Sequence, residues 1–433
     1  MIDSASDLLK IFLETLLILF LLLIIYRKYI YSIFDPLLFF IITQAFSIEL
    51  AFLQISITSY IFNFILCQLF FALGFVSFAK KIKGVHKIED KKFFITVKQL
   101  ELLSYFTTIS FILIIIANSY FISVKGIIIL SKDPSLDKIQ AFDTGGGLGA
   151  VRRINWGLLP LDSLCAIFLF LQTKRKKYLF ILIILILLTI SGGTKGAILI
   201  YIFMISLLGV FTSIKQNNSF KRIDKLKVPL LFTGFIAAIF IISATLGNLN
   251  EALMSLGLRF LYFGDIILYY YTPESVLHFQ KLTFSDFLSY EFNPLLGLVR
   301  LVPYTLPLGF QMVEFSFTHN ENLESVFGPN IPFYVKGHIF FGAFGAIIYA
   351  FFVGSLVGYC RKVLFFKTNR SINYIIILCL IYLNLQIFAY PQDSSFCLSI
   401  IMDTLLFSLV PLIISIYLTL PIKEKFINYF LNK

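Results

Sequence analysis

The sequence predicts an all-α, polytopic integral membrane protein. Of its 433 residues, 58% are hydrophobic and only 14% are charged. That is more apolar surface than a water-soluble domain can bury. Runs of about 20 apolar residues recur along the chain, each long enough to cross the hydrocarbon core of a bilayer. Most basic residues stand in short clusters directly beside those runs, at 27–28, 80–98, 174–177, 215–227, 361–370 and 423–433. A β-barrel would show short segments of alternating hydrophobicity instead.

Taken in order, the apolar runs predict spans at 8–25, 33–53, 57–79, 102–122, 154–171, 178–190, 197–213, 228–246, 337–359, 372–389 and 396–420. The first has no basic leader and no small-residue cleavage site, so it reads as a retained helix. About eleven spans put the termini on opposite sides of the membrane. With the N-terminus outside, every large basic cluster falls in the cytoplasm, as positive residues should. The chain then divides into an N-terminal bundle, 1–246, with about eight spans and an external loop at 123–153; a large external loop, 247–335; and a C-terminal bundle, 336–433, with about three spans. Within 247–335 the apolar pieces 260–271 and 294–308 are too short or too broken by Pro and Gly to span. They read as short interfacial or re-entrant helices.

The net charge of +12 does not point to nucleic acid, because the basic residues follow the membrane topology. All five cysteines fall inside apolar runs, no CxxC pair exists, and the four histidines lack zinc-ligand spacing. Gly145-Gly146-Gly147-Leu148-Gly149 lacks the strand and acidic partner of a dinucleotide site. No metal and no cofactor is expected. Acidic residues inside the spans are few, chiefly Glu49, Asp162 and Asp403. A proton-coupled carrier would carry a buried acidic relay.

External basic residues are the exceptions to the charge rule. Arg259, Arg300, Lys195, Arg152 and Arg153 are candidates for an anionic ligand, since an arginine fork donates two parallel hydrogen bonds to a diphosphate. The alternative for each is a headgroup anchor or a local ion pair. On a continuous helix Asp265 would lie nearly two turns from Arg259 and could reach the same pocket. His319-Asn320-Glu321-Asn322-Leu323-Glu324 is the densest external polar cluster and could deprotonate and orient a hydroxyl. A solvated loop explains it equally well. Gly328-Pro329-Asn330-Ile331-Pro332 forms a rigid turn after it.

These residues resemble the Wzy-type O-antigen and oligosaccharide repeat-unit polymerases. Ser191-Gly192-Gly193-Thr194-Lys195-Gly196 is similar to that family's Ser-Gly-small-Arg-Gly turn, with Lys195 in place of arginine. A lysine cannot make the bidentate contact. The segment from Arg259 to Asp265 resembles the start of the family's large periplasmic loop. Gly328-Pro329-Asn330 and the stretch from Lys336-Gly337-His338 to Ala346 resemble its glycine-rich return to the membrane.

The resemblance implies a GT-C-like, metal-independent glycosyltransferase in a bacterial inner membrane, with a periplasmic N-terminus and a cytoplasmic C-terminus. It would join undecaprenyl-diphosphate-linked repeat units into O-antigen or a capsule-like polysaccharide. Arg259 and Arg300, assisted by Lys195, Arg152 or Arg153, would hold the diphosphate. Glu321, His319 and Asp265, in that order, are the candidate bases. Asn320, Asn322, Glu324, Asn330 and His338 would position the glycans. Partners would be the lipid-linked glycans and the bilayer, and the resemblance leaves open a chain-length regulator protein. The alternatives are an O-antigen ligase using the same donor and a lipid-linked oligosaccharide flippase or other transporter.

Overall fold

The structure is a computed structural model, which describes residues 5–82, 96–130, 148–192, 197–210, 218–246, 248–298, 301, 305–317, 328–366 and 374–420. Regular structure in these residues is helical, with no strand. The helices are α1 (Ala5–Tyr26), α2 (Pro36–Gln54), α3 (Thr58–Phe78), α4 (Val97–Lys125), α5 (Leu148–Thr173), α6 (Lys176–Ser191), α7 (Ala197–Leu208), α8 (Asn218–Lys225), α9 (Lys227–Leu246), α10 (Leu249–Leu261), α11 (Ile266–Tyr270), α12 (Pro273–Phe279), α13 (Phe284–Leu298), α14 (Leu308–Phe317), α15 (Phe333–Phe366), α16 (Tyr374–Gln386) and α17 (Ser394–Thr419). Each apolar run of the sequence holds one of them. Seven described helices (α1 to α5, α15 and α17) are long and apolar enough to cross a membrane. Among the described residues between α9 and α15 the longest helix is α13, with 15 residues, short of a span.

Local chemistry fixes several ends. Asp35 caps α2 by accepting from the Leu37 amide at 2.9 Å, and Pro36 sits where its missing N–H costs nothing. Thr96 and Gln99 form a reciprocal capping box on α4.

The chain forms two compact units that interleave along the sequence. The first gathers the described residues of Met1–Lys87, Val228–Lys367 and Asn384–Ser399. Here α3 and α15 run parallel. Asn63 Nδ2 donates to the Ala343 carbonyl at 2.7 Å near one end, and Gly358 meets the backbone of Phe75 and Ala79 near the other. Gly74 lies against the backbone of Phe351, and Gly354 against that of Phe71, so that a Cβ at either would collide. Small residues let two apolar helices approach closely where lipid supplies no hydrophobic drive.

One end of this unit is pinned by Arg361. Its guanidinium donates to the Tyr29 carbonyl (Nε 3.2 Å, Nη2 2.7 Å), pairs with Asp35, and lies 4.9 Å from the Phe365 ring. Arg27 and Lys28 follow α1 and Lys80 and Lys81 follow α3 at this same end, where Lys362 stands beside Arg361 on α15.

At the opposite end the expected uninterrupted helix from Gly337 is broken. Gly342 has φ +67°, a conformation natural to glycine and strained for other residues. A Cβ on Gly337 would lie 2.9 Å from Cα of Ala346. Nine residues of straight helix would separate the two by about 13.5 Å. The limb 333–341 therefore folds back on the limb 343–366. The long limb alone rises about 36 Å, enough to span. Aromatic contacts seat the short limb on α3, with Phe64 and Tyr334 rings 4.7 Å apart and Phe71 and Phe333 also 4.7 Å apart. The Phe333 amide donates to the Pro391 carbonyl at 2.9 Å.

The second unit gathers the described residues of Ile88–Lys227, Thr368–Leu383 and Ile400–Lys433. Asn118 of α4 and Asn155 of α5 exchange side-chain hydrogen bonds of 2.8 and 3.1 Å. Gly157 lets α5 cross α17 at the backbone of Asp403 and Thr404, and Thr404 Oγ1 donates to the Gly157 carbonyl at 3.1 Å.

Candidate functional site

The folded-back limb of α15 carries two buried polar side chains, Lys336 and His338, each 2% exposed. The sequence places them two positions apart, and the limb sends them to different neighbours. Lys336 Nζ stands 2.6 Å from Glu291 Oε1 on α13 and 2.7 Å from Ser394 Oγ at the start of α17. Ser394 Oγ also donates to Glu291 Oε1. All three are buried. Tyr349 and Tyr390 lie within electrostatic reach of the Glu291 carboxylate. Glu291 Oε2 has no hydrogen-bond partner among the described residues. Removing both charges from water is costly, and the short contacts offset that cost only while both partners remain.

His338 Nδ1 lies 2.6 Å from the Tyr270 hydroxyl and 3.4 Å from Gln280 Nε2. The rings of Tyr60 and Tyr271 stand 5.9 and 6.2 Å from the imidazole. The limb thus grips α11 and the end of α12 through one side chain, and α13 through the other.

Asp265 follows a tight 3-10 turn at Tyr262–Gly264, where Gly264 rests on Cα of Ser47 in α2. The turn ends the helix at Leu261, so the continuous helix expected from Arg259 to Asp265 is not formed. Burial pushes the Asp265 carboxyl up to about 7, against an opposing pull from the Ile266 backbone N–H. Tyr334, on the folded-back limb, is within electrostatic reach of that carboxyl. A carboxyl that titrates near neutrality can accept and return a proton at working pH. Asp286 behaves oppositely. The Thr283 amide and hydroxyl, each 2.7 Å away, hold its carboxyl below the usual range. It serves as a helix-start contact for α13.

The other residues singled out in the sequence distribute as follows. Glu321, His319, Asn320, Asn322, Glu324, Arg300 and Lys195 lie outside the described residues. Arg259 is on α10. Asn330 is exposed in the segment 328–332, which packs on α14 through Gly309 against Pro329 and Phe310 against Gly328. Arg152 and Arg153 belong to the second unit. Arg153 Nη1 pairs with Asp403 Oδ1 at 2.8 Å, and the Arg152 guanidinium lies 5.1 Å from the Trp156 ring. The first unit thus brings Asp265 and His338 to one end. The Lys336–Glu291–Ser394 cluster had not been singled out. Its only sequence signal is a lysine leading straight into an apolar run, which needs a partner. Nothing local names Glu291 or Ser394, which lie 45 and 58 positions away.

Fold and site define a helical membrane protein with a buried polar cluster at one end of one unit. Comparison of the chain with protein-family models, with curated proteins and with solved structures gives no match in any of the three.

Proposed function

We propose that the protein joins lipid-linked oligosaccharide repeat units at the outer face of a bacterial inner membrane, through about eleven spans with an external N-terminus. The observation that carries the reading is Asp265, a carboxyl poised at about 7 on the non-spanning segment between α9 and α15. In the proposed reaction Asp265 takes the proton of the acceptor sugar hydroxyl. The hydroxyl oxygen bonds to the anomeric carbon of the donor. The bond from that carbon to the diphosphate oxygen breaks, and the diphosphate leaves on its lipid. Arg259 and Arg300 stabilise the charge growing on the leaving group. His338, expected to position the glycans, is buried and bonded to Tyr270, so its part is to fix the folded-back limb rather than to touch them. Glu321 and His319 remain the competing bases.

The test is the glycan ladder of a deletion strain carrying variants. Arg259→Ala and Asp265→Asn should remain in the membrane and leave a single repeat unit on the lipid core. Wild-type chain lengths would discard the assignment, and a core with no repeat unit would favour the ligase reading. Transport is the second reading, and it is favoured by Asp162, a fully buried acid inside α5. Purified protein that elongates lipid-linked repeats without an energy source would exclude pure transport.

A further inference from the structure

We infer that Asp162 is held as a neutral carboxylic acid, making the second unit a proton-binding site inside the membrane-spanning part of the chain. The residue lies on α5 two positions after Pro160, within the stretch Leu148–Thr173 that is long and apolar enough to span. It is 0% exposed. Among the described residues, neither Oδ1 nor Oδ2 has a hydrogen-bond partner.

Among the described residues no cation pairs with Asp162. From α7 comes Tyr201, within electrostatic reach of the carboxyl, its hydroxyl 3.2 Å from both Ser163 Oγ and Thr189 Oγ1 of α6. Cys165 of α5 also senses the carboxyl, and Cys379 of α16 senses Cys165. The polar groups that α17 and α4 bring to α5 meet it nearer its start, where Asp403 pairs with Arg153 and Asn118 is bonded to Asn155. Arg153 sits nine residues before Asp162, about 13.5 Å along the helix axis.

An ionised carboxylate with neither donor nor counter-ion is strongly disfavoured in such surroundings, and binding one proton removes the charge. Asp162 also lacks the structural duties of the other buried aspartates among the described residues. Asp35 caps α2 and pairs with Arg361, and Asp403 pairs with Arg153. The site stands independently of the polymerase reading, because its residues belong to the other unit.

Infrared spectroscopy of the full chain in lipid nanodiscs tests it. At about pH 9, where exposed carboxyls and Asp265 are ionised, a neutral-acid C=O band should persist. Carboxyl-13C aspartate should shift that band, and Asp162→Asn, isosteric with the neutral acid, should remove it. A spectrum with no 13C-sensitive neutral-acid band at that pH overturns the inference, whether or not the variant folds. So does a band that persists in folded Asp162→Asn. Loss of the band when sodium chloride replaces choline chloride would also overturn it, marking a metal-cation site.

Discussion

At the scale of the residue, Asp265 couples stability to pH. Its carboxyl titrates at about 7 when folded, above its ordinary value of 3.8. The folded state therefore holds the proton more tightly than the unfolded state. That contribution is full below about pH 4 and is lost as pH rises through about 7. Asp265→Asn keeps a neutral side chain at every pH. Its unfolding free energy should match the wild type near pH 4 and exceed it near pH 8, by on the order of 2–4 kcal/mol. An equal offset at both pH values would refute the assignment. Lys336 makes a second prediction. Lys336→Met strands the buried Glu291 carboxylate and should cost about 3–5 kcal/mol. The double variant Lys336→Met/Glu291→Leu should recover much of the loss, which melting curves of the three proteins in one detergent would show. Lys336 was visible in the sequence as a lysine leading straight into an apolar run. Its partners were not, because only the fold brings α13 and the start of α17 to the limb.

At the scale of the element, the close approach of α3 and α15 rests on the absence of side-chain atoms. Gly354→Ala places a methyl against the Phe71 carbonyl and should lower stability by about 1–3 kcal/mol. Gly149→Ala, where nothing lies within 4 Å, is the control and should leave the melting midpoint unchanged. Equal behaviour of the two variants would contradict the packing described. The apolar runs made these helices legible, since length and hydropathy need no partner to be read. The break at Gly342 was not, since glycine also occurs within continuous membrane helices. A φ of +67° there is set by the limb finding α3, α11 and α13, not by its local sequence. The turn at Tyr262–Gly264 has the same origin, because Gly264 is drawn against Ser47.

At the scale of the whole molecule, the basic flanks and the polar cluster of the first unit lie at opposite ends. If the basic end is cytoplasmic, the start of α3 faces outside, and Ser59 is exposed there. In a Cys379→Ala background, Ser59→Cys should react with a membrane-impermeant maleimide in spheroplasts. Lys81→Cys should react only in inverted vesicles. The reverse pattern would remove the proposed outer-face reaction. Of the candidate site, Arg259, Asp265 and His338 were legible as polar residues in an otherwise apolar chain. That Asp265 and His338 share one end of the first unit was not, because they come from segments far apart in sequence.

The sequence by itself determined a helical membrane protein. Apolar length and charge asymmetry are additive along the chain and survive without knowledge of contacts. Tertiary structure alone decided which charges are neutralised and which are not. Lys336 meets Glu291 and Arg361 meets Asp35, while Asp162 is buried without a donor among the described residues. The physical reason is that the cost of a buried charge depends on what stands within a few ångströms of it, and in this chain those neighbours are often tens to hundreds of residues away.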